Sequence, residues 1–251
     1  MGTKLAGDHV QVLVDGYDLT GDLNRIMLDE NRDVYDVTAF SDAVHKFIIG
    51  KRNINLSHVG YFNFDTVAEN RSHDALNGID INGIVSVLIG DNQPPAVGDL
   101  MYSLLTLQGN YVANPQVGTY IPFSARFVNQ GNVGYWGTVV APPTTFDDSV
   151  TASGDDVLNS GAASSNGGIA YLHVLQKADN ATYEIRIQGD SNSGFTSNPL
   201  PLDEEFSLDA SAIGSERLDL SGTIPQYIRW KATITGTSGE DVIIAINLVR
   251  F

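Results

Sequence analysis

The feature of this chain that most limits its fold is a succession of short apolar segments separated by turn-forming residues. Val10–Val14 is an apolar run that ends at the turn pair Asp15-Gly16. In Asn53–Phe64, apolar and polar residues alternate, and the alternation slips near Gly60, which predicts a β-bulge. Because successive side chains of a strand point to opposite faces, this alternation favours β-strands over helices.

The same pattern recurs along the rest of the chain. Further strands are predicted at Val34–Thr38, Ile84–Ile89, Leu100–Leu107, Ile121–Val128, Val133–Val140, Ile169–Leu175, Thr182–Ile187, Glu205–Leu208, Tyr227–Thr235 and Asp241–Val249. The pair Gly131-Asn132 predicts a hairpin between the two strands that flank it. One helix is predicted at roughly Thr66–Asn77, where apolar residues have helical spacing and Gly78 follows. The fold class is therefore mainly β with one short helix.

The length of 251 residues exceeds that of most single domains, and we expect two. Ala141-Pro142-Pro143 interrupts the strand pattern. Residues 1–143 are predicted to form a β-sandwich or barrel domain with the short helix. Residues 144–168 are poor in large apolar side chains and predict a linker and a loop leading into the second domain. Residues 169–251 predict a C-terminal β-sandwich, because their strands are short and separated by frequent turns.

The charge of the chain is strongly negative. Thirty acidic residues stand against fourteen basic residues, which gives a net charge of −16. Residues 1–140 contribute 8 basic and 15 acidic residues, and residues 141–251 contribute 6 and 15, so both halves share the excess. An acidic surface repels phosphate, which argues against tight binding of DNA or RNA. Solubility alone would also explain this charge.

No catalytic, cofactor-binding or metal-binding residue is predicted. The chain has no cysteine, and its five histidines are not spaced as in metal motifs. His58 and His173 fall within strand patterns, where a packed or surface strand residue is the expected interpretation. Asp15–Glu30 is acidic, but Tyr17 and Thr20 occupy positions where a calcium-binding loop needs an oxygen ligand and a glycine. A hydrolase with an unmarked pair of carboxylates stays open as an alternative.

No apolar run is long enough to cross a membrane as a helix, so we expect no membrane partner.

Three groups of segments resemble the major tail protein, or tail tube protein, of long-tailed phages. The first group is Val12–Asn24, which contains Asp15-Gly-Tyr-Asp-Leu-Thr20, together with Arg32–Thr38 and Lys46–Lys51. The second is Tyr120–Arg126 with Gly134–Val139, which resembles the paired strands that end the tube domain; the third is Gly167–Leu175 with Thr223–Trp230. Ile49 stands where that family has proline.

The resemblance implies a tail-tube-like first domain in a subunit that forms rings, typically hexameric, which stack into a hollow tube for DNA ejection. The partners would be other copies of the chain and the tail tip, tape measure and terminator proteins. DNA would pass through the lumen without specific binding. The location would be the virion tail, after assembly in the host cytoplasm, with the C-terminal sandwich on the tube exterior. A capsid decoration protein or an adhesin, with a sandwich that binds glycan or the capsid lattice, is the alternative.

Two surfaces of such a tube can be assigned to sequence segments. Arg32–Arg52 is expected to include a long, partly mobile connection that, unless it is an ordinary solvated loop, carries ring-stacking residues of mixed charge. These residues are Arg32, Asp33, Asp36, Asp42, Lys46, Lys51 and Arg52. The lumen wall is expected around Asn53–Phe64 and Ile121–Val140, because residues 53–140 contain only Arg71 and Arg126 as lysine or arginine.

Overall fold

The computed structural model describes residues 9–63, 72–77, 82–91, 94–237 and 239–251, and within them the protein is mainly β, as predicted. The strands are β1 Val10–Val14, β2 Tyr17–Asp18, β3 Leu23–Asp36, β4 Phe47–Tyr61, β5 Asn82–Ile89, β6 Leu100–Ala113, β7 Pro122–Asn129, β8 Tyr135–Phe146, β9 Val150–Thr151, β10 Leu158–Asn159, β11 Gly168–Gln176, β12 Ala181–Asp190, β13 Leu202–Glu205, β14 Gly214–Leu220, β15 Tyr227–Gly236 and β16 Val242–Arg250. A short helix, α1, spans Ser72–Leu76. It confirms the end of the predicted helix, and residues 66–71 of that prediction lie outside the described residues.

The strands form a large sheet and a small one. The large sheet has the order β14-β11-β16-β8-β6-β5-β1-β2, and β7, β4 and β3 extend it from the far end of β6. The small sheet has the order β10-β15-β12-β13, with β9 also paired to β15. All described pairings are antiparallel.

The large sheet runs without a break across the division expected near residue 143. β8 pairs with β6 on one side and with β16 on the other, and it continues to Phe146. The segment 144–168 therefore holds the end of β8 together with β9, a 3-10 turn at Gly154–Asp156, and β10. Its few apolar side chains reflect short strands at the edge of the small sheet.

The large sheet curls so that its two ends meet. The backbone N–H of Ile84 donates to Ser215 Oγ at 3.1 Å, and the Ser215 hydroxyl donates to Asp15 Oδ1 at 2.7 Å. The inward faces of β1, β5, β6, β8, β11 and β16 then share one apolar interior. Its buried members are Leu13, Leu88, Met101, Val139, Leu175 and Ala245.

A different group of strands packs against each outward side of this curled sheet. Val12, Val85 and Leu104 face away from the interior and pack against Leu56 and Phe127 of β4 and β7. On the other side, β8, β11 and β16 pack against the small sheet. The molecule thus has three apolar layers, and the shared interior joins its N-terminal and C-terminal halves.

The hairpin expected at Gly131-Asn132 is wrong. β7 pairs with Thr106–Ala113 of β6, and β8 pairs with Leu100–Ser103 on the same strand. Both run antiparallel to β6, so the chain continues in one direction through Gly131 instead of reversing. The 14-residue β6 is long enough to offer its edge to two strands in succession, a property that local turn chemistry does not reveal.

The irregularity expected near Gly60 is present, and the extra residue belongs to the partner strand. Leu23 pairs with Gly60 and Arg25 with Val59, which leaves Asn24 as the inserted residue of β3. A Cβ atom at Gly60 would lie 2.1 Å from the Asp22 carbonyl oxygen. The glycine therefore permits the close approach of β3 at the bulge.

We predict that Gly16→Ala destabilises the protein by opening the contact between the sheet ends. Gly16 has a φ of +83°, and an added Cβ would lie 2.4 Å from the Gly214 nitrogen and 2.6 Å from the Val174 oxygen. Gly222→Ala is the matched control, since its φ is +77° and nothing lies within 4 Å of the added atom. In urea unfolding, Gly16→Ala should lower the free energy of unfolding by about 1–3 kcal/mol more than the control does. Equal losses would show that the contact does not hold the sheet closed.

Candidate functional site

The hairpin of β3 and β4 reaches beyond the rest of the large sheet. β4 pairs with β7 only over Asn55–Tyr61, whereas its pairing with β3 extends to Phe47. Residues 31–53 are thus a two-stranded hairpin, which we call the arm. The connection predicted across Arg32–Arg52 is shorter than expected, because strands occupy both ends and leave only residues 37–46 as the arm tip.

The arm exposes apolar side chains on both of its faces. Val34 lies opposite Ile49 on one face, and Tyr35 lies opposite Ile48 on the other. The exposed apolar residues of the arm are Val34, Tyr35, Val37, Phe40, Val44, Phe47, Ile48 and Ile49. An isolated two-stranded hairpin is marginally stable in water, and exposed apolar patches of this kind mark interaction surfaces.

The seven predicted ring-stacking residues all lie on the arm, distributed between its root and its tip. Arg32 and Arg52 are directly opposite each other near the root, and Arg52 Nε lies 3.0 Å from Glu30 Oε1. Val34 pairs with Ile49, so β4 has one more residue than β3 in this interval, at Gly50-Lys51 opposite Asp33. This bulge lies between the charged pair Arg32 and Arg52, which we call the root of the arm, and the exposed apolar residues nearer its tip.

Three further charged residues, Asp36, Asp42 and Lys46, have partners in the arm tip. Hydrogen bonds from Thr38 lower the pKa of Asp36, and His45 Nδ1 lies 3.1 Å from Asp36 Oδ2. Lys46 forms an ion pair with Asp42 and lowers the pKa of that carboxyl group. Three of the seven residues therefore have local partners within the arm tip. What they contact in an assembly stays a prediction.

The arm and its root are electrically neutral within an acidic chain. Residues 23–61 contain five basic residues, Arg25, Arg32, Lys46, Lys51 and Arg52, and five acidic residues, Asp29, Glu30, Asp33, Asp36 and Asp42. The remainder has 14 − 5 = 9 basic and 30 − 5 = 25 acidic residues, which is a net charge of −16. The β3–β4 hairpin consequently adds no net charge to the repulsion between copies of this chain.

The root of the hairpin forms a two-sided sheet with β7. Ile54, Leu56 and His58 of β4 are buried on one face. Asn55 and Ser57 lie on the opposite face, where Arg126 of β7 donates from Nε to Asn55 Oδ1 at 3.1 Å. We call this opposite side, with the outward residues of β3, β4 and β7, the polar face. Its alternation agrees with the pattern expected for a lumen wall, while its position in a tube stays a prediction.

A serine–histidine contact in the interior lacks the solvent access that a nucleophile needs. Ser86 Oγ lies 2.8 Å from both His173 Nε2 and Ser103 Oγ, and Asn247 Nδ2 donates to Ser103 Oγ at 2.8 Å. All four side chains are buried. Burial lowers the pKa of His173 to about 3, so the imidazole is neutral. This network ties β5 and β6 to β11 and β16 across the shared interior.

Within the described part of the chain, no group of three or more His, Asp or Glu residues is arranged to hold a metal ion. The described helix is also too short to span a membrane.

Comparison with known proteins gives structural likenesses alone. No protein-family model and no curated protein sequence matches the chain. A chain from the virion of a native gene transfer agent particle aligns with 53% of this chain and 98% of its own length, at 13% identity and a TM-score of 0.42. A chain from the tail of an empty gene transfer agent particle covers the same shares at 14% identity and a TM-score of 0.39. The Dit protein of phage SPP1, described as a hub of the adsorption apparatus, aligns with 95% of this chain at 12% identity and a TM-score of 0.32.

We predict that the two buried histidines make folding stability depend on pH above the range in which carboxylates titrate. Burial lowers the pKa of His58 and His173 to about 3 from 6.5, so protonation favours the unfolded chain. Stability is then full above pH 6.5 and falls as the pH drops towards 3. From pH 7 to pH 5, each histidine should cost about 2 kcal/mol.

His58→Leu isolates one of these contributions. Neither ring nitrogen of His58 has a hydrogen-bond partner among the described residues, so leucine removes a buried polar group without orphaning a partner. Urea unfolding of dilute protein at pH 5 and pH 7 should show a smaller pH effect in this variant. The matched control is Leu56→Ile in the same strand, a buried apolar substitution that should change stability equally at both pH values. Parallel curves for His58→Leu and wild type would contradict the assignment.

Proposed function

We propose that this chain is a non-catalytic structural subunit that polymerises into stacked rings and forms the tail tube of a phage, the conduit for DNA ejection. The proposal joins the sequence resemblance of Val12–Asn24, Arg32–Thr38 and Lys46–Lys51 to the geometry of the arm. Two of these three segments belong to the hairpin of β3 and β4. Two of the seven segments that carry the resemblance thus lie in the exposed arm.

The observation that carries the proposal is an arm with apolar side chains on both faces. A hairpin that served only its own chain would bury one face on the core and leave the other polar. Here Val34 and Ile49 on one side and Tyr35 and Ile48 on the other are all exposed. Burying each such side chain contributes about 1.5–3 kcal/mol. An arm placed between neighbouring subunits would bury both faces.

The charge distribution favours copies of this chain that meet through the arm. A body of net charge −16 repels other bodies and DNA, whereas residues 23–61 are neutral. Contacts made through the arm would therefore avoid much of the repulsion between copies. The same negative charge would let DNA slide through a lumen without adhering.

The polar face supplies a surface suited to that lumen. Asn55, Ser57 and Ser124 present short uncharged side chains there. Arg126 is engaged with Asn55, and β3 adds Arg25 and Asp29 to the same face, opposite Val59 and Asn55. DNA would pass this wall without specific binding.

The small sheet would lie on the outside of the tube. Its outward side carries Arg186, which forms ion pairs with Glu184, Asp203 and Glu205. Because β16 is hydrogen-bonded to β8, this C-terminal part would be rigidly attached to the ring-forming part. The rings, expected to be hexameric, would meet tail tip, tape measure and terminator proteins in a virion assembled in the host cytoplasm.

We predict that concentrated wild-type protein forms rings or filaments visible by negative-stain electron microscopy. Phe40→Ser together with Val44→Ser removes two exposed apolar side chains from the arm tip and should abolish these particles. The matched control is Leu100→Ser with Phe251→Ser, which changes two exposed apolar residues elsewhere. Circular dichroism establishes that each variant is folded. Wild-type protein that stays monomeric, with initiator proteins from the tail tip present, would refute the proposal.

The lumen assignment has a test of its own. Asn55→Lys, Ser57→Lys and Ser124→Lys together should make assembled tubes retain short DNA in sedimentation at low salt and release it at high salt. Thr182→Lys, Thr233→Lys and Thr235→Lys on the small sheet serve as the control, and tubes carrying them should retain less DNA within the lumen after nuclease treatment. If DNA retained by the first set is fully nuclease-sensitive, the polar face does not line the lumen.

A further inference from the structure

We propose that the arm of one copy docks on an uncharged apolar patch at the opposite end of β4 in the next copy. We call this patch, formed by Tyr61, Val112, Val117 and Tyr120, the receptor patch. The inference rests on the proposed self-assembly and adds the surface that receives the arm, together with the polarity of growth.

The receptor patch is built where β4 ends and β6 turns into β7. Tyr61 pairs with Pro122, and Val112 pairs with Ser124, which places both on the polar side of this sheet. The rings of Tyr61 and Tyr120 are in contact, with centroids 5.7 Å apart. Val117 and Tyr120 lie in the turn and are almost fully exposed, at 106% and 83%. The turn thus presents Val117 and Tyr120 largely exposed, next to the half-exposed Tyr61 and Val112.

The sequence around the patch is free of charge over an unusual length. No Asp, Glu, Lys or Arg occurs from Leu100 to Ala125, although 18% of the chain consists of these residues. Charged side chains normally keep an exposed turn soluble and prevent association. Their absence here makes the patch the complement of an arm tip whose exposed residues include Val37, Phe40 and Val44.

The positions of the two surfaces on β4 determine the mode of association. The arm tip precedes Phe47 at the start of β4, and Tyr61 is its last residue. With a rise of about 3.3 Å per residue, the two ends are roughly 46 Å apart. Contact between two different surfaces at opposite ends of one subunit is heterologous. Where such contacts do not close into a ring, as between stacked rings, they leave free arms at one end of the assembly and free patches at the other, so growth there is open-ended and polar.

The charges of the arm argue against the other simple arrangement, in which two arms pair with each other. Arg32 lies directly opposite Arg52 within one arm, with Lys51 adjacent. A symmetric pair of arms with their roots side by side would bring two such basic clusters together, which like charges oppose. The receptor patch carries no charge and therefore repels neither the basic nor the acidic residues of the arm.

The absence of cysteine in this chain permits a clean crosslinking test. We would prepare Val44→Cys in the arm tip and Val117→Cys in the receptor patch as separate proteins, mix them, and add a flexible bis-maleimide. The expected result is a crosslinked heterodimer that neither variant forms alone at a comparable rate. A chain with both substitutions should give a ladder of dimers, trimers and longer species.

Leu100→Cys, which is also an exposed apolar position, replaces Val117→Cys in the control mixture and should give at least about tenfold less product. Rapid crosslinking of Val44→Cys with itself would overturn the inference in favour of paired arms. Filaments of wild-type protein without a crosslink between positions 44 and 117 would overturn it while leaving the tube proposal intact. Loss of both filaments and crosslink would count against both proposals.

Discussion

The hydrogen-bonded continuity from β6 through β8 to β16 is the constraint on which the rest of this structure depends. β8 takes its partners from both halves of the chain, so the interior around Met101, Val139 and Ala245 is complete only when both halves are present. The buried contacts between Ser86 and His173 and between Ser103 and Asn247 add polar bonds across the same interior. Since buried polar groups are costly when a partner is lost, these bonds fix one arrangement of the strands. The described strands of both halves therefore form one continuous sheet, with a second sheet packed against one side.

The arm projects from this continuous sheet. Ile54, Leu56 and His58 are buried and anchor β4 to the rest of the molecule. The part of β4 that precedes Asn55 pairs with β3 alone. A hairpin held firmly at its root and apolar on both faces at its end is arranged to contact another molecule. The neutral charge of this hairpin, in a chain that otherwise repels its copies, makes another copy the natural occupant. Strand geometry, apolar exposure and charge therefore support the same structural role.

The sequence predicted much of this fold, because alternation and turn residues are local signals. It identified the mainly β class, the end of α1, the irregularity opposite Gly60 and the strand positions of most long elements. It missed β14, whose Gly214–Leu220 alternates weakly, and most of β3, where only Val34–Thr38 was predicted. It also placed a hairpin at Gly131 where β7 and β8 follow one another along β6. Pairing between distant strands and the closure through Asp15 and Ser215 depend on contacts 200 residues apart, which no local pattern contains. The charged residues of the arm were found from the family resemblance, whereas the exposed Val34, Ile48 and Ile49 became recognisable as a surface only once β7 was seen to end short of them.

Hydrogen exchange measured by mass spectrometry, at concentrations below and above that at which the protein assembles, shows directly whether assembly buries the arm. In dilute protein, amides of residues 31–53 should exchange rapidly because the arm has no partner beyond its own two strands, while amides of β16 should exchange slowly. In assembled protein, the account predicts that exchange in residues 31–53 slows by at least about tenfold while β16 is unchanged. Assemblies in which the arm exchanges as fast as it does in the monomer would contradict the account.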